Sequence, residues 1–237
     1  MSDQDTDHRI TPSLHPGLVR ALESFTEDDA SFIGQAETAF STAFEGLRQL
    51  HNASEKGRKN PSWTEAEAVI QTQVMADKVI ERATRAFDSA GANLDKTIAA
   101  YEAQLSQPVE SQAAHAVSAE IRAHVKGLST GERLQFIQNV IAKGDHVSAS
   151  AVLGAPAYLS GLEEETATAM TRHYQAKASP EVARRLDLLK ATRALIDDHA
   201  GKIFKEAEKA VGMHPTRVAQ LRAAKSEAER AFILKDA

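Results

Sequence analysis

PSWTEAEAVIQTQVMADKVIERATRAFDSAGANLDKTIAAYEAQLSQ, residues 61–107, is the stretch whose reading decides the fold. Ser62-Trp63-Thr64-Glu65 spells a capping box, in which the serine hydroxyl accepts from the third backbone N–H and the glutamate reaches back to the cap. No proline follows until Pro108, and Gly91 is the only glycine on the way. Ile80, Phe87, Leu94 and Tyr101 stand seven apart, close to two helical turns, so they line one side of a helix. The stretch predicts a single helix over about 62–107, near 68 Å long at about 1.5 Å per residue, with Gly91 as a candidate kink. The same spacing recurs at Ile33, Phe40, Leu47 and at Leu189, Ile196, Ile203. With no alternating strand pattern between these stripes, the chain is predicted to be all-α, an elongated helical bundle with two long helices (about 62–107 and 180–211) and several shorter ones. A seven-residue period suits an internal bundle core and an intermolecular coiled coil alike, so Ile80, Phe87, Leu94 and Tyr101 are also a candidate association stripe.

Punctuation divides the rest. Residues 1–11 are polar and without period and read as a disordered tail. Residues 12–178 read as the helical bundle, and 179–237 as a long helix plus a carboxyl-terminal hairpin packed on the same bundle. A short helix is expected after Pro16, with Leu18, Leu22 and Phe25 on one face, and a second from about Asp28 to His51. Residues 54–61, with Gly57, Asn60 and three basic side chains, read as a solvated turn. Further boxes at Ser129–Glu132 and Ser160–Glu163, and the cap Ser179-Pro180, each predict a helix start. Gly212 and Pro215 close the 180–211 helix, and a last helix is expected over about 216–234.

Alanine supplies 42 of 237 residues and aromatics only 5%, which predicts close helix approach, a thin core and no deep ligand pocket. The absence of cysteine excludes thiolate nucleophiles, thiolate zinc sites and iron–sulfur clusters, and fits a reducing compartment. The acidic, polar start MSDQDTDHRI does not read as a signal or transit peptide, and the uncharged run Val147–Leu162 is broken by Gly154, Pro156 and Gly161 and too short for a membrane helix. A cytoplasmic protein without membrane contact is expected. Net charge is -5, with 16 Lys/Arg against 24 Asp/Glu in residues 1–179 and 12 against 9 in 180–237, so only the carboxyl-terminal quarter is mildly basic.

The chemical motifs resolve into structural ones. Gly127-Leu128-Ser129-Thr130-Gly131 matches the G-x-S-x-G of a nucleophile elbow, but that elbow needs a preceding strand, and residues 121–126 read as helix, so Ser129 reads as an N-cap. None of the nine histidines has H-E-x-x-H or Glu-x-x-His spacing, and no metal or cofactor site is expected. Glu163, Glu164 and Glu165 fit a first helical turn, where carboxylates favour the dipole. VSASAVLGAPAYLSGL, residues 147–162, is rich in small side chains suited to a tight backbone crossing, while Tyr158 and its leucines equally suit an exposed docking patch.

AEKAVGMHPTRVAQL, residues 207–221, sets a glycine turn between two helices and looks like a helix-turn-helix. That resemblance implies Thr216, Arg217 and Gln220 as base-reading residues and Arg222 and Lys225 as phosphate contacts, with salt-dependent duplex binding weakened by Arg217→Ala. Glu208 departs from the small residue usual at its position. In general style, with long alanine-rich helices, no cysteine, an acidic body and a mildly basic helical end, the chain resembles phage scaffolding and other prophage-borne structural proteins. The likeness lies in composition and helix length rather than in a motif. The leading expectation is therefore a non-enzymatic assembly, scaffold or adaptor protein acting by self- or hetero-association, with a DNA-binding regulator and an enzyme of unrecognised type as the other readings.

Overall fold

Helix α2, Ala30–Arg58, places Ile33, Ala36, Phe40, Ala43, Leu47 and Leu50 at three- and four-residue intervals, and every one of them is buried. The computed structural model describes residues 7–233. Besides α2, their helices are α1 (Gly17–Arg20), α3 (Glu65–Leu105), α4 (His115–Gly127), α5 (Thr130–Lys143), α6 (His146–Leu153), α7 (Glu164–Ala178), α8 (Pro180–His199), α9 (Lys202–Val211) and α10 (Pro215–Ala231). No strand occurs among the described residues, so the all-α architecture stands. The chain divides into two compact units, one of Met1–Asp95 with Leu188–Ala237 and one of Lys96–Asp187. Both boundaries fall inside helices, α3 and α8, and neither coincides with the punctuation at Ser179-Pro180.

In the first unit the core is built from the stripes. Phe40 of α2 and Phe87 of α3 meet edge to face with centroids 5.0 Å apart at 82°, the geometry the ring quadrupoles favour. Leu189, Ile196 and Ile203 are buried in the same unit. The seven-residue period here marks an internal core.

Several boundaries differ from the sequence reading, each for a local reason. The solvated turn expected at 54–61 is helical through Arg58, because Ser54 and Gly57 are buried and Gly57 lies under the Trp63 ring. The first capping box is displaced: Asn60 takes up Ser62, accepting from its backbone N–H at 3.0 Å and its hydroxyl at 2.8 Å. The helix starts instead behind Thr64, whose hydroxyl accepts from the Glu67 N–H at 3.2 Å. The span 180–211 is helical apart from Ala200-Gly201, where the Ile203 N–H bonds three residues back to Ala200. Glycine lowers helix propensity by about 1 kcal/mol relative to alanine, which favours the break there. Gly212 ends α9 at φ +71°, a conformation that side chains with a Cβ resist.

Residues 1–6 of the expected tail lie outside the described residues, as does the end of the expected 216–234 helix at Leu234. Residues 7–11 do not form a tail. Ile10 is only 4% exposed, and Leu14 and Val19 are fully buried. Thr11 opens a single 3₁₀ turn, Pro12–Leu14.

The second unit closes around Val109, Val125, Ile137, Ile141, Val152 and Leu162, with Tyr174 at its edge. Ser129 starts α5 as expected, with both its N–H and its hydroxyl donating to Glu132 at 3.0 and 2.5 Å. At Ser160–Glu163 the box does not form: the Ser160 hydroxyl is buried and donates to the Val152 carbonyl at 3.4 Å, and α7 begins only at Glu164. Arg133 joins the pieces. Its guanidinium donates to the carbonyls of Val125 (3.1 Å), Leu128 (2.9 Å), Lys126 (3.2 Å) and Gly161, supplying donors for acceptors that the end of α4 leaves unmatched.

Candidate functional site

The Val147–Leu162 segment combines a buried crossing with an exposed turn. Within α6, Ala149, Ser150, Ala151, Val152 and Leu153 are all buried, and the helix packs on α4, α5 and α7. At its end the backbones touch: a Cβ on Gly154 would lie 2.6 Å from the carbonyl oxygens of both Ser150 and Val109 and 3.1 Å from the Ser111 nitrogen. No other residue fits that crossing. Beyond it the 3₁₀ turn Ala157–Leu159 reverses the pattern. Ala157 and Ser160 anchor the turn in the core, while Tyr158 is 69% and Leu159 39% exposed. A ring and an isobutyl group are thus held out to solvent from a turn whose two ends are fixed by burial. Val117 on α4 and Val147 on α6 are also exposed, and α4 packs against both α6 and this turn.

The expected association stripe is not available as a continuous seam. Phe87 and Leu94 are 3% and 4% exposed within the first unit, so a partner could reach them only by unpacking that core. Ile80 is half-buried. Tyr101 belongs to the second unit, where its hydroxyl accepts a 3.4 Å hydrogen bond from Arg185. Four residues in one sequence register are divided between the two units.

The carboxyl-terminal hairpin forms, with α9, Gly212 and α10 in succession and His214 as N-cap of α10, its Nδ1 accepting from the Thr216 N–H at 3.3 Å. Thr216, Arg217 and Gln220 are exposed, and Arg217 donates to Gln220 at 3.1 Å. The two expected phosphate contacts are already engaged by α3. Arg222 pairs with Asp77 at 2.8 Å, and Lys225 holds Glu67 at 2.8 and 2.9 Å. Hydrogen bonds from Gln71 and Lys225 keep the Glu67 carboxyl below its ordinary range. At Asp77 burial opposes ionisation, but the bonds from Arg222 and Gln73 outweigh it. Contact between phosphate and Arg222 or Lys225 would have to displace these carboxylates.

A cluster that the sequence reading missed lies where residues 7–14 fold back on α2 and α9. Asp7 accepts from the Arg9 backbone N–H (3.0 Å), Nε (2.9 Å) and Nη2 (2.6 Å), and Arg9 in turn donates to Glu55 (2.7 Å) and Asn52 (2.9 Å). The Arg9 side chain pulls the Asp7 carboxyl down to about 2. Glu206 of α9, 3% exposed, accepts from the Thr11 N–H at 3.2 Å and from Lys209 at 2.5 Å. Among these groups the Nε2 of His51 is buried with no hydrogen-bond partner among the described residues. Burial first, and the Arg9 charge second, hold the His51 imidazole below its ordinary pKa, against Asp7, Glu206 and Glu55. The available signal was Thr11-Pro12-Ser13-Leu14, a cap, a proline at the first helical position and a leucine, which is turn chemistry rather than tail.

The described residues contain no group of three or more His, Asp or Glu side chains placed to hold a metal ion, and no helix among them is long and apolar enough to cross a membrane. Comparison with protein-family models, with curated proteins and with solved structures gives no match for this chain.

Proposed function

We propose that this is a non-enzymatic protein that works by association, in an assembly, scaffold or adaptor role, and that the second unit carries the contact face around Tyr158 and Leu159. The observation that carries the reading is the exposure of Tyr158 on a turn anchored at both ends in the core. Tyrosine suits such a face, since it offers a large contact area at the cost of few rotatable bonds and keeps a polar tip for the rim. The occupant is a second copy of the chain. Residues 96–187 hold nine Lys/Arg against ten Asp/Glu, so two such units meet almost without net repulsion. Rooting the turn beforehand also lowers the ordering entropy that binding would otherwise cost.

The chain has no cysteine, so Pro156→Cys introduces a single thiol, at an exposed position two residues from Tyr158. A short bis-maleimide is expected to join two copies through it, and Tyr158→Glu in the same background to suppress the cross-link at least fivefold. Cross-linking that Tyr158→Glu leaves unchanged would remove this face from the contact.

A further inference from the structure

The same amino-terminal fold-back that covers His51 also borders an open cavity of about 410 Å³. Its walls are Ile10, Pro12, Leu18 and Phe44, with Asp7, His8 and His15 as polar members. This lies within the usual size range of small-molecule sites, and the pattern of apolar walls with few fixed polar groups is theirs as well.

His15 is held in one orientation. Its ring meets Phe44 edge to face at 5.3 Å and 75°, and its Nδ1 accepts the Gly17 N–H at 3.0 Å. An imidazole that accepts at Nδ1 and is neutral carries its hydrogen on Nε2. That N–H has no partner among the described residues and is not fully buried. The site therefore offers one oriented donor on an apolar wall. Charge narrows the ligand further. Asp7 is paired with Arg9 and so offers no free charge to an ammonium, and Arg9, held by both Asp7 and Glu55, offers none to a carboxylate.

We propose that this cavity binds a small, uncharged, largely apolar molecule through a single acceptor such as a ketone or ester carbonyl, with His15 Nε2–H as donor. This is a site separate from the association face, on the other unit of the chain.

The test is calorimetric titration of the full chain with three probes of one shape: 2-acetylnaphthalene, 2-ethylnaphthalene and 2-naphthoate. The ketone is expected to bind roughly fivefold more tightly than the hydrocarbon, the worth of one ordinary net hydrogen bond, and more tightly than the carboxylate. His15→Phe keeps a ring against Phe44 and removes the donor, and it should bring ketone and hydrocarbon within twofold of each other. Leu18→Trp, which fills the cavity, should abolish both. No binding of any probe up to its solubility, equal binding of ketone and hydrocarbon to the unaltered chain, a preference that survives His15→Phe, or tighter binding of the carboxylate would each overturn the proposal. The comparison among probes needs no variant, so it stands even if one of the variants fails to fold.

Discussion

Gly154 and His51 are the residues where local chemistry is most constrained. At Gly154 two carbonyl oxygens occupy the approach to a Cβ, and backbone atoms cannot move aside as a flexible side chain can. Gly154→Ala is expected to destabilise the second unit by about 2 kcal/mol, as overpacking at a fixed site does, measured by urea unfolding. His51 sets an acid limit. Its folded pKa lies below the ordinary 6.5, so the unfolded chain binds more protons between the two values, and stability falls as pH drops through that window. Asp7 contributes at lower pH, with stability present above 3.8 and lost as pH falls toward about 2. His51→Gln should therefore lose less unfolding free energy than the unaltered chain between pH 7 and pH 5, while the steeper loss below pH 4 remains. Equal losses in the two proteins above pH 5 would show that His51 is not the group responsible.

Helices were more legible than their ends. A stripe of Ile, Phe and Leu at seven-residue intervals specifies a helix through the burial of several large side chains at once, each worth about 1.5–3 kcal/mol. A cap decides a boundary by about 1 kcal/mol, and a neighbour can reverse it. Asn60 did so at Ser62, and burial under Val152 did so at Ser160. Residues 7–11 were read as tail because a single isoleucine makes no period, although Ile10 is buried. Arg133 could not be read at all, since its partners are backbone carbonyls, three at the end of α4 and one at Gly161, 28 residues away. Arg133→Ala should cost roughly 2 kcal/mol in urea unfolding, by loss of charge-assisted bonds. Arg133→Lys should recover less than half of it, because a single ammonium cannot span the same set of carbonyls as the planar guanidinium. Full recovery by lysine would mean that only the charge matters.

For the whole molecule, the apolar stripes that suggested a coiled-coil seam are mostly consumed in forming the chain's own cores. Phe87 and Leu94 lie in one of these, and Tyr101, half-buried, belongs to the other unit. What distinguished core from seam was long-range packing, which spacing along one helix does not encode. The exposed part of the 147–162 segment was visible only as an alternative, since its small residues and its Tyr158-Leu159 pair have opposite fates within one short stretch. Association, if it runs through that pair, leaves both cores intact, and this separates it from any model in which Phe87 or Leu94 faces a partner. The most direct measurement is the solution mass by size-exclusion chromatography with light scattering, at matched concentrations, for the unaltered chain and for Tyr158→Glu/Leu159→Glu, with helix content followed by circular dichroism. The account predicts a discrete multiple of the 25.6 kDa chain mass for the former, and a monomer of unchanged helix content for the latter. A monomer in both cases, or an oligomer indifferent to the substitutions, would contradict it.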